Sequence, residues 1–168
     1  MAIRVFIFDD DELIRMTLSS YLNQEGYEVA AFQQPDHCPL YFSDDCVCPK
    51  EQGCTDVIIT DLNMPGTSGV KFIQKQLSRG CKVKKMAVMS GDWGDPALDI
   101  ARDLGCKIFK KPFSIFEIKK WLDEVRSSIE HENIKESPVI WNQMKEEKEK
   151  NAKIKPAFTA LNLKKLVK

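Results

Sequence analysis

Short apolar runs alternate with amphipathic stretches along residues 1–127. The run from Ile3 to Phe8 reads as a buried parallel strand. From Glu12 the spacing becomes helical: Ile14, Leu18, Tyr21 and Leu22 share one face, and Gly26 stops the helix. Tyr27–Ala31 and residues 56–60 read as the second and third strands. After a turn at Pro65-Gly66, Val70, Ile73 and Leu77 give a helix face that ends before Gly80. Lys85–Met89 is a fourth strand. Asp95-Pro96 opens the next helix, with Asp as cap and Pro at the first position, and Gly105 ends it. Lys107–Phe109 is a short fifth strand. Ser114-Ile115-Phe116-Glu117 is a capping box, opening a helix with Ile118, Leu122, Val125 and Ile129 inward.

Strands alternating with helices predict an α/β fold built on an open, five-stranded parallel sheet. Such sheets bind ligands beyond the carboxyl ends of their strands. Asp9, Asp61, Ser90 and Lys111 all fall just past strand ends on that edge. One stretch breaks the alternation. Residues 33–55 stand where a helix is due, yet they hold Pro35, Pro39 and Pro49 and show no apolar period.

Two strand ends are tipped with acid. Asp61 follows Val57-Ile58-Ile59-Thr60, and Asp9, Asp10 and Asp11 follow the first run. Acids converging on one edge form a pocket that a divalent cation would neutralise. Asp11 reads as a charge at a helix N-terminus.

Composition narrows the class. The 168 residues suit one domain with an appendage, and the formal net charge is zero, so nothing global argues for nucleic acid. No stretch approaches membrane-spanning length, and the chain opens on a strand rather than a leader, so the expected location is the cytoplasm. Six cysteines in that reducing compartment are not expected to form structural disulfides.

Four phrases occur in order at the predicted strand ends: IFDDDELIR, IITDLNMPGTSG, VMSG and KKPF. Together they resemble the receiver domain of two-component response regulators, over residues 1–127. The resemblance implies a doubly wound, flavodoxin-like sheet of strand order 2-1-3-4-5. It implies that Asp61 accepts a phosphoryl group from a sensor histidine kinase or phosphotransfer protein. Asp9 and Asp10 match the acidic pair that holds Mg²⁺, with Asp61 and the backbone carbonyl of Asn63. Ser90 matches the hydroxyl that bonds the phosphoryl group, and Lys111 the lysine that pairs with it. Pro112 is expected to follow a cis peptide bond. The residue types suit the chemistry, because a carboxylate attacks phosphorus only when repulsion between two anions is cancelled. One position departs from the pattern. The family carries an aromatic residue three before the lysine, and here that residue is Ile108. Phe109 beside it should face the other side of the strand. Trp93 could substitute as a reporter of the loop.

Cys38, Cys46, Cys48 and Cys54 crowd the aberrant segment, with seven, one and five residues between them. A Zn²⁺ clip could hold the loop, with His37 as a replacement ligand; an iron–sulfur cluster and unligated thiols are the other readings. Cys81 and Cys106 read as small core residues.

From Ser128 the chain turns polar, and Lys145–Lys150 reads KEEKEK. This tail, 128–168, is expected to be partly helical or disordered. It lacks a helix-turn-helix pattern, so no DNA-binding output is expected. The leading reading is a stand-alone signalling phosphoacceptor that changes its binding to an unidentified protein. It is not a turnover enzyme, since loss of the phosphate would be slow self-timing. Two rivals are a haloacid-dehalogenase-type phosphohydrolase using Asp9 in a D-x-D pattern, and a metal- or redox-sensing adaptor working through the cysteine loop.

Overall fold

The computed structural model describes residues 2–38, 53–83 and 85–130. A five-stranded parallel sheet forms its centre. The strands are β1 (Arg4–Phe8), β2 (Glu28–Phe32), β3 (Val57–Asp61), β6 (Lys85–Ser90) and β7 (Lys107–Lys110). A two-stranded ribbon, β4 (Asn63–Met64) and β5 (Thr67–Ser68), follows β3 directly. The sheet order is β2-β1-β3-β6-β7, which is 2-1-3-4-5 once the ribbon is set aside. That is the flavodoxin-like order the resemblance implied.

The helices are α1 (Glu12–Gln24), α2 (Gly69–Ser78), α3 (Ala97–Asp103) and α4 (Ile115–Glu130). They divide the core between the two faces of the sheet. On one face Leu18 and Leu22 of α1, with Ile118, Leu122, Val125 and Ile129 of α4, pack against Val5, Ile7, Ile59 and Met89. On the other, α2 and α3 cover Phe6, Phe8, Ile58 and Val88. The central strands β1 and β3 are buried along their whole length, which is why they are apolar without alternation.

Most boundaries fall within a residue or two of the expected ones. α2 differs in which face it buries. Leu77 is 38% exposed, and the inward stripe is Gly69, Val70, Phe72, Ile73 and Gln76. Phe72 wins that place by meeting the Phe8 ring at a centroid separation of 4.8 Å. In the segment that interrupts the alternation, Pro35–His37 forms a single 3₁₀ turn. Residues 39–52, and the tail beyond 130, lie outside the described residues.

Candidate functional site

Parallel pairing sets the site. β1 and β3 are neighbours in register, Phe8 opposite Thr60, so the acids that follow them emerge side by side. Asp9 is completely buried and Asp61 is 5% exposed. Lys111, just past β7, reaches both: its Nζ lies 2.9 Å from Asp9 Oδ2 and 2.6 Å from Asp61 Oδ1. The peptide bond between Lys111 and Pro112 is cis, as expected.

Backbone donors fix the remaining carboxylate oxygens. Asp9 Oδ1 accepts from the Asp11 amide at 2.9 Å, and Asp61 Oδ2 from the Asn63 amide at 2.9 Å. Burial raises the Asp9 pKa, with the Lys111 hydrogen bond and the Asp11 amide pulling it back. Desolvation works against the Lys111 ammonium, but its bonds to Asp61 and Asp9 prevail and its pKa is raised.

Two expected residues sit differently. Asp10 is exposed, and among the described residues no three His, Cys, Asp or Glu side chains gather into a metal-binding group. Ser90 is buried, but its hydroxyl turns to its own loop: Oγ donates to the Asp92 carbonyl at 2.8 Å and accepts from the Asp92 amide at 3.1 Å. Ser90 still borders the pocket, because its carbonyl accepts from the Lys111 amide at 2.8 Å. Asn63 is exposed, at the start of the ribbon after Asp61.

The donor set fits Mg²⁺. Two buried carboxylates share one ammonium, so the pocket keeps a net negative charge and offers hard oxygen ligands beside an exposed third acid, Asp10. Cys38 and Cys54 are each 1% exposed and pack into the core face beneath α2 and α3, while Cys46 and Cys48 lie outside the described residues. Cys81 and Cys106 pack at the margin of the same core, as expected, and burial pushes the Cys106 thiol up to about 11.

Sequence reasoning missed two contributors. Arg15 on α1 donates from Nη1 to the carbonyls of Asp9 and Asp10, at 2.7 and 2.9 Å, and so holds the acidic loop. Its position one turn into a helix that starts at the loop was the available signal. Gly69 opens α2 against the Asp61 backbone, and a Cβ there would collide with the Asp61 carbonyl oxygen. The small-residue phrase Gly66-Thr67-Ser68-Gly69 was its only mark.

The family model described as the response regulator receiver domain matches residues 5–123. The transcriptional regulatory protein FixJ of Azorhizobium caulinodans is 32% identical over 110 residues, which cover 65% of this chain and 48% of FixJ. The transcriptional regulatory protein PdtaR of Mycobacterium tuberculosis is 29% identical over 116 residues, covering 68% of this chain and 52% of PdtaR. The chain thus spans about half the length of the curated relatives it matches. Among solved structures, FixJ-N superimposes with a TM-score of 0.60 at 25% identity, covering 74% of this chain and 94% of that one. Vibrio cholerae CheY4 shares the fold, with a TM-score of 0.56 at 22% identity over 74% of this chain and 99% of its own. No helix among the described residues is long and apolar enough to cross a membrane. The sheet order that sets Asp9 beside Asp61 and the match across most of the chain lead to one assignment: the chain belongs to the response regulator receiver domain family.

Proposed function

We propose that Asp61 is the phosphoacceptor, receiving a phosphoryl group from a phosphohistidine on a sensor kinase or phosphotransfer protein, and that the modified chain changes its binding to a partner protein. The observation that carries this reading is the Lys111 ammonium shared by Asp61 and Asp9 in a buried strand-end pocket. Of Asp9, Asp10 and Asp61, only Asp61 is both buried and followed by a ribbon open to solvent at Asn63.

The chain's own groups define the transfer. Asp61 attacks phosphorus with one carboxylate oxygen while the Asn63 amide holds the other, and the P–N bond breaks as the donor imidazole leaves and takes a proton from solvent. Lys111 moves its ammonium from the carboxylates to the incoming phosphoryl oxygens, offsetting the charge that collects there. Asp9 and Asp10, with Asp61 and the carbonyl of Asn63, would hold Mg²⁺, which when bound neutralises the phosphoryl oxygens. Ser90 supplies a hydroxyl donor from the end of β6.

The hydrolase reading loses its second acid. Asp11 is engaged as the α1 cap, its Oδ1 accepting the Leu13 and Ile14 amides at 2.8 and 3.2 Å. Asp92-x-x-Asp95, which would suit the later acidic pair of such a hydrolase, consists likewise of turn acceptors, for the Gly94 and Ala97 amides.

Incubation with Mg²⁺ and acetyl phosphate, followed by mass-spectrometric mapping, tests the assignment. Label is expected on Asp61 in the wild type and nowhere in Asp61→Asn. Label on Asp9, or full labelling of the variant, would overturn it.

A further inference from the structure

We infer that Trp93 is the residue through which the state of Asp61 reaches the outer surface of β7 and α4; the inference rests on Asp61 as phosphoacceptor. The Ser90 hydroxyl carries a single hydrogen, and in this structure it is spent on the Asp92 carbonyl at 2.8 Å. That hydrogen cannot also serve a phosphoryl oxygen on Asp61. Donation to the phosphoryl group therefore releases the Asp92 carbonyl and loosens the tight turn that Ser90 builds with Asp92.

Trp93 is the next residue in that turn. It is 48% exposed, and its indole lies under the Lys110 ammonium at 5.3 Å from the ring centroid. Lys110 precedes Lys111, whose amide bonds the Ser90 carbonyl and whose ammonium holds Asp61. Both ends of the turn are thus tied to the acceptor. Trp93, Lys110, Glu117 and Trp121 line one cavity of about 390 Å³ between β7 and α4. Loss of the turn shifts the indole, and the cavity changes shape with it.

The other β7 side chains are poor candidates for this role. Ile108 is aliphatic and packs at the edge of the core. Phe109, on the face of β7 opposite Ile108, is 4% exposed and packed against Trp121 at 5.6 Å. The turn places a large, half-free ring within three residues of the hydroxyl that must move.

The test uses the full chain labelled with 5-fluorotryptophan, its signals assigned with Trp93→Phe. Fluorine NMR is recorded before and after Mg²⁺ and beryllofluoride, a stable mimic of the acyl phosphate. The fluoride's own bound signal reports occupancy of Asp61 independently. With the site filled, the Trp93 signal is expected to shift or broaden. In Ser90→Ala the free protein should already show a displaced Trp93 signal, with no further change on filling. A filled site with an unmoved Trp93 signal overturns the inference and leaves Asp61 standing. A Ser90→Ala protein that keeps the full wild-type shift overturns it as well. No bound fluoride signal in the wild type defeats the acceptor reading, and this inference with it.

Discussion

Gly69 shows how a single missing Cβ positions Asp61, the proposed acceptor. Its amide donates to the Leu62 carbonyl at 2.9 Å, so α2 begins in contact with the strand end that carries Asp61. A methyl there would meet the Asp61 carbonyl oxygen and press on the Thr60 side chain at 2.8 Å. Neither neighbour can yield, since Thr60 is fully buried and Asp61 is still paired in the sheet. Gly69→Ala is therefore predicted to cost about 1–3 kcal/mol in urea unfolding, the range for an overpacked core. It should also slow labelling of Asp61 by acetyl phosphate, because the carboxylate moves with its backbone. Wild-type values for both would show that α2 can draw back freely. At this scale the sequence marked which groups carry charge, and it stopped there. Asp9 and Asp61 were legible because acids at the ends of apolar runs have little reason to be buried otherwise, whereas Lys111 was legible only through the resemblance of the KKPF phrase. The direction of the Ser90 hydroxyl was not legible, since it depends on which acceptor stands nearest its one proton.

Elements were read best where periodicity was long. Among the described residues, the five strands of the main sheet and three of the helices lie where the apolar pattern put them, because buried strands and two-turn stripes each repeat a signal several times, and α3 lies where its Asp95-Pro96 start and Gly105 stop put it. The β4–β5 ribbon was missed, since two residues per strand hold no period. The inward turn of Phe72 and Gln76 on α2 was missed because the choice between two adjacent stripes is made by the sheet opposite. The joint between α1, β2 and α4 was also invisible. Tyr27 Oη donates to Asp123 Oδ1 at 2.6 Å, Lys119 meets Asp123 Oδ2 at 2.6 Å, and the Arg126 guanidinium lies 4.1 Å from the Tyr27 ring centroid. The Lys119 hydrogen bond, then that from Tyr27, holds the Asp123 pKa below its usual value. Its folded pKa being depressed, Asp123 contributes stability above the unfolded carboxylate value, and this is lost as pH falls through the folded one. Burial, then the Asp123 bond, raises the Tyr27 pKa, so its contribution is whole below the ordinary tyrosine range and is lost as pH climbs above it. Tyr27→Phe should cost about 1 kcal/mol at neutral pH, a modest value because the Asp123 side chain is 43% exposed. Melting temperatures from about pH 3 to about pH 11 check both arms. The wild-type advantage over Tyr27→Phe should shrink at each end, and a constant gap would show that the bond adds nothing the solvent does not supply.

The whole molecule is a sheet with two unlike ends. At the carboxyl end sit the acids, the lysine, Ser90 and Asn63. At the amino end Arg4 and Asp56 form an enclosed pair. Arg4 Nε and Nη2 reach Asp56 Oδ2 and Oδ1 at 2.9 and 2.6 Å, the Arg4 amide reaches Oδ2 at 2.9 Å, and the side chains are 6% and 8% exposed. Thr55 Oγ1 donates to the Arg4 carbonyl at 2.8 Å and completes the joint between β1 and β3. The pair is imperfect, because among the described residues the buried Arg4 Nη1 has no hydrogen-bond partner. An ion pair of this kind adds little over apolar replacements, yet breaking it from one side is severe, because the remaining charge has no water to turn to. Arg4→Met alone is predicted to destabilise by about 3–5 kcal/mol. Arg4→Met with Asp56→Asn should recover more than half of that loss, since the introduced carboxamide stays neutral and its oxygen can still accept the main-chain N–H at position 4. Urea unfolding of the two variants measures the difference. The double variant should also take label on Asp61 at the wild-type level, because β1 and β3 keep their register and deliver Asp9 and Asp61 together. If the double variant stays as unstable as the single one, the joint needs the arginine itself and not merely a balanced charge. If it regains stability but loses labelling, the ion pair sets the relative position of β1 and β3, and the amino end of the sheet takes part in placing the acids at the other.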